Sequence, residues 1–199
     1  TASKYNAYTS YRLQDPDYKD LAPITKEKAL ELMLDDKVAT VSACAKLYKK
    51  SILERVPFPV GKIYEDFYVV GEHLALAERI VISPLETYNY YRREGSIVRS
   101  TFTKKRYDFF EAVAKNEEVI KREYIQSPEL KQALQAKKLL GGFVVIGAKA
   151  DSGLKDFTKD RELLKVEMSD LLKNNKLSWK LKLKYLIFMF SPKLYLLLR

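Results

Sequence analysis

From Lys104 onward the apolar residues recur at the three- and four-residue steps of an α-helix. This periodicity restricts the fold more than any other feature, because nearly half of the chain must be helices stacked on one another. Lys104 to Gln126 predicts one long amphipathic helix. Pro128 suits the first turn of a second, which runs to about Leu140 and meets Gly141 and Gly142, with Val144 to Ala150 resuming it. Asp156 to Lys173 predicts a third helix and the C-terminal segment a fourth. No internal repeat occurs at solenoid periods.

The part before residue 103 reads differently. Residues 1–25 are Tyr-rich and irregular, with Pro16 and Pro23. Thr25 can cap a helix over Lys26 to Leu34, although Lys28 stands where a capping box favours Glu or Gln. Val38 to Ala43 (VATVSA) is short and β-branched, as in a buried strand, and Cys44 is expected there as a small buried apolar residue. Lys46 to Leu53 reads as helix, and Pro57 and Pro59 then impose an extended stretch. Tyr64 to Ala77 predicts a helix with Phe67, Val70, Leu74 and Ala77 on one face. Arg79 to Ser83 and Thr87 to Arg92 read as strands separated at Pro84, with a loop at Gly95. The expected class is α/β to α+β and helix-rich.

Composition removes several function classes. The 199 residues are 47% hydrophobic and 31% charged, which is globular. One Cys excludes an internal disulfide framework or a multi-Cys zinc site, and one His excludes a His-clustered metal centre. No run of eighteen apolar residues is present. The first residues contain no apolar signal-peptide core, and a start at Thr1 suggests a piece of a longer protein.

The formal net charge is +10, and it is concentrated. Residues 173–199 hold six Lys, one Arg and no acid, so +7 lies in the last 27 residues. The same segment carries Trp179, Tyr185, Phe188, Phe190 and a run of Leu. Lysines beside a bulky apolar face suit a segment lying in an anionic bilayer interface, with Trp179, Lys180, Lys182, Lys184 and Phe188 as contact residues. A helix packed on its own domain, or on another one, is the alternative. A tail this rich in Leu and Phe is poorly suited to stacking on bases, so nucleic acid is not the expected partner.

The most informative run for chemistry is Phe58 to Phe67 (FPVGKIYEDF), where Glu65 and Asp66 open a helix after a Pro/Gly-controlled extended segment. Neighbours on a helix diverge by about 100°. With the apolar stripe buried, Asp66 falls at its edge and Glu65 points away. An acid at such an edge loses solvent and becomes a better proton acceptor. Acids in a first turn also simply complement the helix macrodipole. His73, two turns on, reads as a packed helical His.

Three blocks, in order, resemble the C-terminal half of a bacterial family 2 glycosyltransferase of the GT-A type: Ala43 to Lys50 (ACAKLYKK), Phe58 to Phe67, and Tyr88 to Ile97 (YNYYRREGSI). The likeness spans about residues 25–103. Ala45 departs from it, since the family usually has Asn there. The resemblance implies residues 1–103 as the acceptor-side portion of the catalytic domain, followed by a helical region over 104–173 and the basic tail over 174–199.

It further implies inverting transfer of a sugar from a nucleotide-sugar donor to a glycan or lipid-linked hydroxyl acceptor in surface polysaccharide synthesis. Asp66 would be the general base and Glu65 its partner in the acid pair. Lys46, Arg92, Arg93, Ser96 and Arg99 would face the leaving diphosphate or an anionic acceptor. A divalent cation, Mg or Mn, is expected in the complete enzyme with ligands mostly outside this chain. Asp15-Pro16-Asp17 has the letters of a metal-binding D-x-D but not its apolar strand, and Asp35-Asp36 reads as a turn after a helix. With the nucleotide-binding half expected elsewhere, these 199 residues alone should transfer nothing. The implied location is the inner face of the cell membrane, peripheral and cytoplasmic. A non-catalytic helical module that docks through its basic tail is the competing reading.

Overall fold

A computed structural model of the chain describes residues 22–36, 38–83, 88, 101–124 and 127–199. The described residues form helices α1 (Lys26–Asp35), α2 (Lys50–Arg55), α3 (Glu65–Leu76), α4 (Asp108–Glu123), α5 (Pro128–Asp151), α6 (Thr158–Leu164), α7 (Met168–Lys173), α8 (Trp179–Phe190) and α9 (Pro192–Leu197). A 3-10 turn over Lys104–Tyr107 leads into α4. The chain is therefore helix-rich, and among the described residues extended pairing amounts to one bridge, between Ile24 and Ile80.

Local chemistry explains the helix starts. Thr25 Oγ1 accepts from Lys28 N–H at 3.1 Å and caps α1, as its position before the apolar-periodic run predicts. Ser127, Ser178 and Ser191 do the same for α5, α8 and α9, and Pro128 and Pro192 occupy first turns where a missing N–H costs nothing.

One hydrophobic cluster joins the described helices other than α2, from Ala29 and Leu30 of α1 to Tyr195 of α9. It draws on residues from both sides of residue 103 and of residue 173. The 24-residue α5 is its spine and touches α1, α4, α6 and α8. Phe67, Val70 and Leu74 of α3 are buried as their spacing predicts, against α4. At that seam Asn116, fully buried on α4, donates to Phe67 C=O at 2.6 Å and accepts from Gly71 N–H at 3.1 Å. Tyr124 Oη donates to Gly71 C=O at 3.0 Å.

Several expectations are corrected. Val38 to Ala43 is a bent loop and not a strand. Its β-branched residues find no neighbouring strand among the described residues, and the loop is tied instead by side-chain bonds described below. Cys44 in the same region is exposed, not buried. Arg79 to Ser83 contributes only the Ile80 bridge, and the predicted strand over Thr87 to Arg92 lies, except for Tyr88, outside the described residues. The helix expected over Lys46 to Leu53 begins at Lys50.

Gly141 and Gly142 do not interrupt α5. They lie within it, where a Cβ on Gly141 would sit 2.2 Å from Phe109 Cζ and one on Gly142 2.4 Å from Leu164 Cδ1. The glycines admit neighbouring side chains; they do not end the helix. The single helix expected over Asp156 to Lys173 is two, α6 and α7, with a break at Lys165 to Glu167.

The tail is also different from its simplest reading. Phe188 is 0% exposed, among the rings of Phe143, Phe157 and Tyr195, so it is a core residue and unavailable to a lipid surface. Burial of such a ring is worth roughly 1.5–3 kcal/mol. Lys184 Nζ lies 4.4 Å from the Phe143 ring centre, Lys182 Nζ donates to Leu172 C=O at 2.8 Å, and Trp179 and Lys180 are exposed. Lys176 ties the start of the tail to Glu31 and Asp35 of α1, and Arg199 forms a two-pronged pair with Asp151 of α5.

A buried ionic cluster joins α5 to α6. Lys149 Nζ donates to Asp160 Oδ2 at 2.6 Å and to Tyr107 Oη at 3.0 Å, while Tyr107 Oη donates to Asp160 Oδ1 at 3.1 Å. Burial opposes the Lys149 charge, but the bonds to Asp160 and Tyr107 outweigh it and hold its pKa above the usual lysine value.

Candidate functional site: the carboxylate at the start of α3

The acid pair is delivered by a tightly steered turn. Gly61 (φ 80°) and Tyr64 (φ 66°) both take left-handed backbone, and Tyr64 leads directly into Glu65. A non-glycine residue holds that conformation only where its surroundings enforce it. Here the enforcing groups come from the start of α4: Asp108 Oδ2 accepts from Ile63 N–H at 3.0 Å, Glu111 pairs with Lys62, and the Tyr64 ring stands edge-on to Phe109. Lys105 adds a bond to Gly61 C=O at 3.1 Å.

Asp66 emerges half-buried and Glu65 exposed, as the stripe geometry predicts. Each oxygen of the Asp66 carboxylate is engaged once: Oδ1 accepts from Phe67 N–H at 2.7 Å and Oδ2 from Ala43 N–H at 3.3 Å. A carboxylate offers about four lone-pair directions, so the group is oriented while keeping acceptor capacity for a hydroxyl.

The loop over residues 40–46 lies against Asp66 through the Ala43 N–H. Lys46 Nζ donates to Thr40 C=O at 2.6 Å and to Ser42 C=O, and Cys44 N–H donates to Ser42 Oγ at 3.2 Å. Burial lowers the Lys46 pKa, against the opposing pull of Asp66. Burial, reinforced by Asp66, pushes the Tyr48 phenol up to about 12. Asp66, Lys46 and Tyr48 thus share one electrostatic neighbourhood.

Behind it, His73 is 2% exposed between the edges of Tyr48 and Phe58 and donates from Nε2 to Val56 C=O at 2.7 Å. That is a packed helical His.

Arg92, Arg93, Ser96 and Arg99 lie outside the described residues, as do Asp15 and Asp17. Asp35 and Asp36 are engaged by Lys176 and Lys137. Among the described residues no three His, Cys, Asp or Glu converge, so they form no cage of three or more such ligands. A groove of about 730 Å³ between α4, α5 and the α6–α7 break, floored by Ile120, Tyr124 and Leu134, includes no residue of α3 or of the loop over 40–46 and is separate from Asp66. Two members of the Asp66 site carry no motif-level role in the sequence: Tyr48, although it lies in a resembling block, and Ala43, which acts through its backbone N–H and so leaves no side-chain signal.

A stretch of 61 residues, 31% of the chain, is 36% identical to the glycosyltransferase GlyA of Streptococcus pneumoniae serotype 4, and covers 9% of that protein. No protein-family profile matches the chain, and no solved structure matches it. The comparison supports a glycosyltransferase relationship for part of the chain.

Proposed function

We propose that this chain is part of an inverting glycosyltransferase of the family 2, GT-A kind, acting in bacterial surface polysaccharide synthesis. The acceptor hydroxyl oxygen bonds to the anomeric carbon of the nucleotide sugar. The bond from that carbon to the diphosphate breaks, the nucleoside diphosphate leaves with the electron pair, and Asp66 takes the hydroxyl proton. The observation that carries this reading is the half-buried Asp66 carboxylate, aimed by two backbone N–H groups and still able to accept a third hydrogen bond. The partial likeness to GlyA gives it weight.

In this reading Lys46 positions the loop that carries the Ala43 N–H, because its ammonium is committed to Thr40 and Ser42. Glu65 contributes charge from the solvent side. Arg92, Arg93, Ser96 and Arg99 would meet the diphosphate or an anionic acceptor, and Mg or Mn would be held by ligands mostly outside this chain.

The test is Asp66→Asn in the complete protein, with transfer and nucleotide binding measured side by side. Removing a general base should lower turnover by about 10²–10⁴-fold, with nucleotide affinity and melting temperature unchanged. Glu65→Gln should cost far less. Near-normal turnover in Asp66→Asn would refute the assignment.

A further inference from the structure

Helix α8 is apolar on two opposite sides. One side, through Tyr185 and Phe188, is built into the core. On the other, Trp179 (69% exposed), Leu183 (47%), Leu186 (36%) and Phe190 (86%) stand free. At about 100° per residue these four fall within about 60° of one another, with Lys182 on one flank and Lys180 on the other. Leu197 and Leu198 of the following segment are exposed as well.

Charge decides what such a stripe fits. Residues 173–199 contain no acid. Lys176 and Arg199 are neutralised by acids elsewhere in the fold, but among the described residues Lys173, Lys180, Lys182, Lys184 and Lys193 have no ion-pair partner. An apolar ridge bordered by unneutralised lysines matches an interface in which acyl chains lie beneath anionic headgroups.

We infer that the Trp179–Leu183–Leu186–Phe190 ridge is a preformed docking face for an anionic bilayer surface. The ridge is held in place by the opposite face of its own helix, so it presents itself already folded. This differs from a free tail that becomes helical on the membrane, and it does not depend on the glycosyltransferase reading.

The test is co-sedimentation of the full chain with vesicles of phosphatidylcholine alone or mixed with phosphatidylglycerol. Deleting residues 174–199 would be uninformative, because it also removes Tyr185, Phe188 and Tyr195 from the core. The variants are therefore Leu183→Gln with Leu186→Gln, and Lys180→Glu with Lys193→Glu. The chain should bind the anionic vesicles, release in salt, shift the emission of its single Trp to the blue, and gain no helix by circular dichroism. Each double variant should bind about tenfold more weakly or worse, with an unchanged melting temperature. Failure to bind anionic vesicles would overturn the proposal, as would binding indifferent to both variants. So would concentration-dependent self-association lost in Leu183→Gln/Leu186→Gln without vesicle binding, which would assign the ridge to a second copy.

Discussion

Asn116 and Gly71 are joined across the α3–α4 seam: the Asn116 Oδ1 takes the Gly71 N–H at 3.1 Å, in space that only a missing side chain leaves open. A Cβ on Gly71 would stand 2.6 Å from that oxygen and 3.2 Å from Val119 Cγ1. Gly71→Ala should therefore lose about 1–2 kcal/mol, because overpacking outweighs the ~1 kcal/mol gained in helix propensity. Asn116→Ala should lose about 2–3 kcal/mol from its buried bonds. In the double variant the obstructing oxygen is gone, so the two losses should fall short of additivity by ~1 kcal/mol in urea unfolding. Strict additivity would mean that the two residues do not restrain each other.

Gly141 poses the same contest more sharply. Helix propensity alone favours Gly141→Ala by ~1 kcal/mol. The new Cβ would meet Phe109 Cζ at 2.2 Å, and Phe109 is itself held by Tyr64, Phe67 and Phe110. The expected sign is destabilising, by about 1–3 kcal/mol, read as a lower urea midpoint. A stabilised variant would show that the aromatic cluster can yield.

Much of the fold was legible where the determinants are local. The Thr25 cap and the Phe67, Val70, Leu74 stripe are written within a turn or two of sequence and stand as read, whereas Ala77, read as the last member of the stripe, lies just past the helix end in extended backbone. Gly141-Gly142 was not legible as close packing, because Phe109 and Leu164 are distant in the chain and glycine alone reads as a break. VATVSA looks like a strand because β-branching is its only local signal; the loop is set by the Lys46 ammonium and the Asp66 carboxylate. For the site, the bearing of Asp66 and Glu65 followed from helix geometry. The Ala43 N–H did not, since any residue but proline carries one.

Ala45 sits in left-handed backbone at φ 57° and is exposed. The family that this stretch resembles usually has Asn here, a residue that tolerates this conformation better than Ala does. Ala45→Asn and Ala45→Gly should each stabilise the chain by about 0.5–1 kcal/mol, seen as a higher melting temperature. An unchanged or lower value for both would remove backbone strain as the reason for the family's choice.

The Lys149–Asp160 pair gives a pH signature. With its folded pKa raised above 10.5, Lys149 contributes stability that is complete below that value and is lost as pH climbs through the higher folded value. Lys149→Met leaves Asp160 buried without its cation and should cost about 3–5 kcal/mol at neutral pH. The gap between the two proteins should narrow only above about pH 10.5. A gap that closes below pH 9 would mean that the ammonium is not held by the pair.

The two-sided α8 also bears on inheritance. An exchange of genetic material that replaced the last 26 residues with those of an unrelated gene would discard the rings that fill the space against Phe143 and Phe157. Residues 174–199 are therefore not a detachable unit of this fold. This ending can change only in step with the helices it rests on, so its lineage and theirs should branch together.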